Sequence, residues 1–224
     1  MPETVITVRG HHSAWYAAER ATVTIAVSAD GPERDDVFAR VTAAAEIVRT
    51  SIIALYDADR GPITRWSADA VQVWSHRPWS ATGEQLDLVH TAALDLTARF
   101  SSFDELAPWI ESVVATDHVS VAGVEWSLSE SRRATAATEA RSRAVKDAVA
   151  KATVYAQSIG LGSVSATAIA DPGMLGDSAG TPADAAPYMD RMKVGSAPNS
   201  GEPLALKPEQ IEVSAAVDAR FVAR

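Results

Sequence analysis

Cysteine is absent from the 224 residues, which excludes disulfides, thiolate nucleophiles and cysteine-ligated metals together. The compartment stays open, because exported proteins can also lack cysteine. No apolar run approaches the roughly 20 residues that a helix needs to cross a bilayer. Clusters of lysine and arginine are missing too: 20 basic against 29 acidic residues give a formal charge of −9. A phosphate backbone is therefore not the partner to expect. The opening "MPETVITVRG" has no basic n-region and no apolar h-region. The expectation is a cytoplasmic protein, with the cell envelope as the alternative if an export signal has been removed.

Catalytic and metal-binding patterns are equally scarce. His11 and His12 are adjacent on an extended stretch, so their side chains point to opposite faces and chelate poorly. His76, His90 and His118 have no partner four residues away. No GxSxG elbow occurs, and "GLGSVS" lies at a helix end, whereas a phosphate loop needs a helix start. Asp87 and Asp95 fall on one face of a strand about 26 Å apart at strand rise, too far for a carboxylate pair. We expect no metal, no cofactor and no enzyme.

What is present is regular alternation and one alanine-rich helix. "RATVTIAVS" places Ala21, Val23, Ile25 and Val27 on one face. A helix follows with Val37, Val41, Ala45, Val48, Ile52 and Leu55 on one side. "ITRWSADAVQVWSHRPW" reads as a long strand. A turn at "ATGE" leads to a partner with Leu86, Leu88, Ala92, Leu94, Leu96, Ala98 and Phe100 on its buried face. "SSFDELAPWIESVV" opens on a capping-box pattern, Ser102 and Glu105, but Pro108 demands either a kink or a later start. In "HVSVAGVEWSLS" the apolar parity changes across Gly123, which predicts a bulge.

The stretch "TEARSRAVKDAVAKATVYAQSIG" carries a stripe through Ala137, Ala140, Ala144, Ala148, Ala152, Tyr155 and Ile159, closed by Gly160 as a left-handed cap. A long helix lying on a sheet is the expectation, a helix-pair dimer seam the alternative. Residues 171–208 hold six of the eleven prolines and five glycines, so a mobile insert is expected there, with Tyr188, Met189 and Met192 as docking points. Cleavage is then expected first near Arg191 or Lys193. The chain closes on a strand with Ile211, Val213, Ala215, Val217, Ala219 and Phe221 on one face.

Together these features predict an α+β domain spanning 1–224, or two interleaved lobes. A mixed, mainly antiparallel sheet would carry three helices largely on one face, with a repeated strand–helix–strand order of the split-βαβ kind.

The alanine stretch also resembles the signature of the SIMPL-domain family, at Glu139, Ala140, Arg141, Ala144, Ala148, Lys151, Ala152, Tyr155, Ala156 and Gly160. "VITVRG" is similar to that family's first strand and "IEVSAAVDARF" to its last. The resemblance implies an α+β fold, a mostly bacterial group often found in the envelope, a tendency to oligomerise, and no established catalytic residues. "HHSAWY" stands where that family usually carries a glycine-rich stretch.

For function, Trp66, Trp74 and His76 share parity on the long third strand, and Arg77 and Trp79 follow. Tryptophan and arginine are enriched at contact hot spots. These five residues are the candidate interface or ligand face. The leading expectation is a homo-oligomeric assembly or interaction protein, with no nucleic acid and no membrane span. A small-ligand binder using the Trp66–Trp79 strand and the 171–208 segment is the first alternative, an unrecognised hydrolase the second.

Overall fold

The computed structural model describes residues 3–175 and 206–224. In chain order the elements are β1 (Thr4–Ala17), β2 (Arg20–Gly31), α1 (Arg34–Leu55), β3 (Ile63–Ala68), β4 (Gln72–His76), β5 (Val89–Phe100), α2 (Leu106–Val114), β6 (Val119–Ser127), α3 (Glu130–Ser158), β7 (Val164–Ala170) and β8 (Gln210–Ala223). The α+β class holds: every ladder between named strands is antiparallel, and three helices accompany them. The strands, however, divide between two sheets instead of joining one. The chain forms two compact units, one built from β1, α3, β7 and β8, the other from β2 to β6 with α1 and α2. Most of the proline-rich 171–208 segment, with Tyr188, Met189, Arg191, Met192 and Lys193, lies outside the described residues.

The first unit is a three-stranded sheet, order β1-β8-β7, under one long helix. β1 and β8 run together without a register shift from Thr4↔Ala223 to Ala17↔Gln210. Ile6, Val8, Val217, Ala219, Phe221 and Ala223 point into the core beneath α3. The helix starts at Ser129, whose hydroxyl accepts from the Arg132 N–H at 3.3 Å. It stops in a Schellman motif. Gly160, at φ +79°, donates to Gln157, and Leu161 donates to Ala156.

The buried ridge of α3 is Ala136, Ala140, Ala144, Ala148, Ala152 and Ala156. The expected stripe is right at four of these positions and wrong at its ends. Tyr155 and Ile159 are 54% and 60% exposed. A strict four-residue row runs oblique to the helix axis, and a twisted sheet is followed better by such a row than by an axial one. Small side chains are obligatory along it. At Gly10 a Cβ atom would overlap the Ala144 carbonyl oxygen and lie 2.8 Å from both the Cβ and the N of Ala148. The helix therefore rests on the backbone of β1. On either side of Gly10, Lys151 Nζ donates to the Arg9 carbonyl at 3.0 Å and the His11 N–H donates to Asp147 at 2.8 Å. These bonds occupy part of an edge that would otherwise offer free backbone groups.

With β3 and β4 counted as one interrupted edge strand along β5, the second unit follows the order β-α-β-β-α-β, with sheet order β3-β5-β2-β6. This is the split-βαβ arrangement. Ala21, Val23, Ile25, Val27 and Ala29 of β2 and Ala92, Leu94, Leu96, Ala98 and Phe100 of β5 form one core face. Against it α1 packs Val37, Val41, Ala44, Val48 and Ile52, and α2 packs Leu106, Trp109, Ile110 and Val113. Trp109 is fixed by Phe100, centroids 5.1 Å apart, and by its indole N–H on Ser51 at 3.1 Å. The helix α2 takes the later start, at Leu106, and its N-cap residue Glu105 makes no side-chain cap bond. Pro108 thus sits in the first turn, where its missing N–H has no helical partner to lose. The bulge at Gly123 is present: Gly123 pairs Thr24 and Val121 pairs Ile25, leaving Ala122 extra. Val121 and Val124 consequently both pack on the core.

Candidate functional site

The long third strand is broken, and the break rearranges the aromatic candidates. Ala68 pairs Leu96 and Gln72 pairs Ala93, so four steps on the edge match three on β5. The excursion at Asp69–Val71 inserts one residue, and one residue reverses every side chain beyond it. Trp66, opposite Ala98, packs half-buried on the core. Trp74, opposite Thr91, is on the other face and 47% exposed. The shared parity of Trp66 and Trp74 is thereby corrected. Trp74 and His76 do share a face, and Arg77 and Trp79 follow them, all exposed.

The turn after β4 holds Trp79 outward. Trp79 bridges Gln85, Leu86 N–H donates to Pro78, and Gly83 takes φ +80° to close the tip. Trp79 is 68% exposed, with Leu86 and Leu88 of the expected buried face also in solvent. They precede β5 and lie outside the strands of the sheet. Asp87 falls in the same stretch, so it does not share a strand with Asp95. His90 is half-buried and its Nδ1 lies 2.6 Å from Ser75 Oγ, a satisfied strand histidine.

A hollow of about 680 Å³ opens beside α2 and β6, a feature that alternation along the strands did not disclose. Ile110, Val114, Val119, Val121, Val124 and Leu206 line it. None of the candidate tryptophans is among its walls, whereas Leu206 belongs to the 171–208 segment. The size is ordinary for a small-molecule site, but polar groups converging on a reacting atom are what such a site needs for chemistry. Glu111 and Ser120 are the polar side chains at its rim.

Charged groups elsewhere act as fasteners. Asp218 of β8 receives Arg9 at 2.7 Å and the Gly173 N–H at 2.7 Å. The Arg9 hydrogen bond, then the Gly173 N–H, hold the Asp218 carboxyl below its ordinary value. Asp147 is likewise lowered, first by Lys151 at 2.7 Å and then by the His11 N–H. Among the described residues no group of three or more His, Asp or Glu side chains is placed to hold a metal ion. Nor is any described helix long and apolar enough to cross a membrane.

A three-stranded sheet on an alanine-faced helix, combined with a split-βαβ unit carrying outward tryptophans, defines an α+β protein without an assembled reaction centre among its described residues. The family model of SIMPL, described as a protein of unknown function (DUF541), matches residues 6–221. The chain belongs to the SIMPL family. No curated protein matches it.

Proposed function

We propose that this SIMPL protein is a non-catalytic assembly protein that self-associates along β4 and the turn that follows it. The observation that carries this reading is the exposure of Trp74, 47%, on a strand paired on one side by β5, and of Trp79, 68%, in the turn that follows it. An edge strand bearing large apolar side chains is a template for another chain, and Arg77 adds a donor of the kind that interfaces favour. Trp66 supports the strand from the core side and takes no part in contact. Size exclusion with light scattering tests the proposal. Wild type should elute as a homo-oligomer, and Trp74→Ala should weaken it more than it lowers the melting temperature. A clean monomer at micromolar concentration would overturn the reading.

The hollow beside α2 favours a second reading, binding of a small apolar molecule. An environment-sensitive dye that brightens on wild type and not on Val121→Phe would support it.

A further inference from the structure

The open face of the five-stranded sheet, opposite α1 and α2, contains a pair of arginines, Arg65 and Arg99, that form no ion pair among the described residues. On β3, Ile63 pairs Phe100 and Arg65 pairs Arg99, so a bulge at Thr64 brings Arg65 directly opposite Arg99. Residues directly opposite have Cβ atoms about 5 Å apart, and like charges there repel. Bulges of this kind often re-aim a side chain. Arg99 is only partly exposed, and its Nε atom is buried without a hydrogen-bond partner. A buried donor left unmade is rare enough to require an explanation.

The pair differs from the other arginines of the described strands in facing a like charge across one rung. With a formal charge of −9, carboxylates are plentiful, and Arg9, Arg40, Arg49, Arg143 and Arg224 each hold one within 2.9 Å. Along the same rung, Arg99 is followed by Thr22 and then Glu125. Two strand spacings place the Glu125 backbone about 10 Å from that of Arg99. Ser67 and Thr97, one rung on, satisfy each other at 2.7 Å. The free hydroxyl nearest the pair on this rung is therefore that of Thr22.

We propose that Arg65 and Arg99, with Thr22 beside them, bind the phosphate group of a small molecule, either free phosphate or a phosphate monoester. Planar guanidinium forks match tetrahedral oxyanions through paired hydrogen bonds. Two of them balance the charge of close to −2 that a phosphate carries at neutral pH. A single carboxylate would leave one positive charge uncompensated. Binding would remove the repulsion across the rung.

The test is calorimetric titration and thermal melting of the full chain with inorganic phosphate at pH 7.5, ionic strength held constant with chloride. One phosphate should bind per chain, and the melting temperature should climb with its concentration, as mass action requires. Acetate should do neither. Arg65→Gln and Arg99→Gln should each weaken binding at least tenfold. In phosphate-free, low-salt buffer Arg65→Gln should melt higher than wild type, because the like-charge contact is gone; a purely structural arginine would give the reverse. Should Arg99→Gln fail to fold, exposed Arg65 carries the comparison. A glycerol phosphate titration separates the sources: tighter binding than inorganic phosphate identifies a monoester ligand, weaker binding the free ion. Phosphate that stabilises both variants as much as wild type, or does not bind at all, overturns the proposal.

Discussion

Gly10→Ala tests the account of α3 most directly, because the consequence follows from three atoms. The added methyl group would overlap the Ala144 carbonyl oxygen and reach within 2.8 Å of Ala148 Cβ and N. Two of those atoms are helix backbone, so no rotamer change relieves them. The helix must lift or slide along β1, loosening Ile6, Val8 and Phe221 beneath it. Overpacking of this kind costs about 1–3 kcal/mol. Restricting the unfolded chain returns about 0.4–1 kcal/mol, leaving a net loss of about 1–2 kcal/mol. For a chain of this size that lowers the melting temperature by roughly 2–8 °C. Calorimetry should show the loss in the transition of the β1-α3-β7-β8 unit. The double variant Gly10→Ala/Ala148→Gly relieves the contact with the Cβ alone, and a helix-interior glycine costs about 1 kcal/mol more. It should therefore recover nothing. A Gly10→Ala protein that melts at or above wild type would show that α3 does not rest on the β1 backbone.

Ala148→Leu should lower the urea midpoint through the same crowding, by about 1–3 kcal/mol in stability, with no change in molar mass; a stable variant that dissociates would move the interface onto the helix. Asp218→Asn bears on pH. The folded-state carboxyl is held low by Arg9 and Gly173, so its contribution is present above the unfolded value near 4 and fades as pH falls through the lowered one. The urea midpoint of Asp218→Asn should trail wild type above about pH 5, and the gap should narrow steadily as pH falls below the ordinary carboxylate range. A gap that persists unchanged into acid would show that the carboxylate charge is not what Asp218 contributes.

Alternation along a strand reports which face is buried and is silent about which strand lies beside it. This is why the apolar faces of β2, β5 and β8 were legible while their division into two sheets was not. The helix ridge was readable where alanines recur every four residues, at Ala140, Ala144, Ala148 and Ala152. It failed at Tyr155, because the count stepped three residues on from Ala152 while the buried row continues every four residues to Ala156. The candidate site fared unevenly for a related reason. Trp74, His76, Arg77 and Trp79 are where an exposed face requires them, but Trp66 is not. No glycine or proline marks the excursion at Asp69–Val71, so its extra residue is invisible in the sequence. The hollow near α2 could not be read at all, since Leu206 reaches it from far along the chain.

The bulge at Ala122 gives β6 one residue more than the facing stretch of β2. Deleting a residue from a regular strand moves every later side chain to the opposite face. Deleting Glu125 would do so: Trp126 would leave Phe103, against which it packs edge-on at 5.0 Å, for the open face. Loss of a fully buried tryptophan costs about 3–5 kcal/mol, and Trp126, half-buried against the core, should lose a large part of that. Deleting Ala122 is different, because Ala122 is the surplus residue between Val121↔Ile25 and Gly123↔Thr24. Its removal leaves Val121 and Val124 on the core face and restores an even ladder, so the faces of β6 survive. The shorter chain should fold and melt within a few degrees of wild type, while the Glu125 deletion melts far lower. Equal damage from the two deletions would mean that the bulge sets the strand's path and not merely its parity.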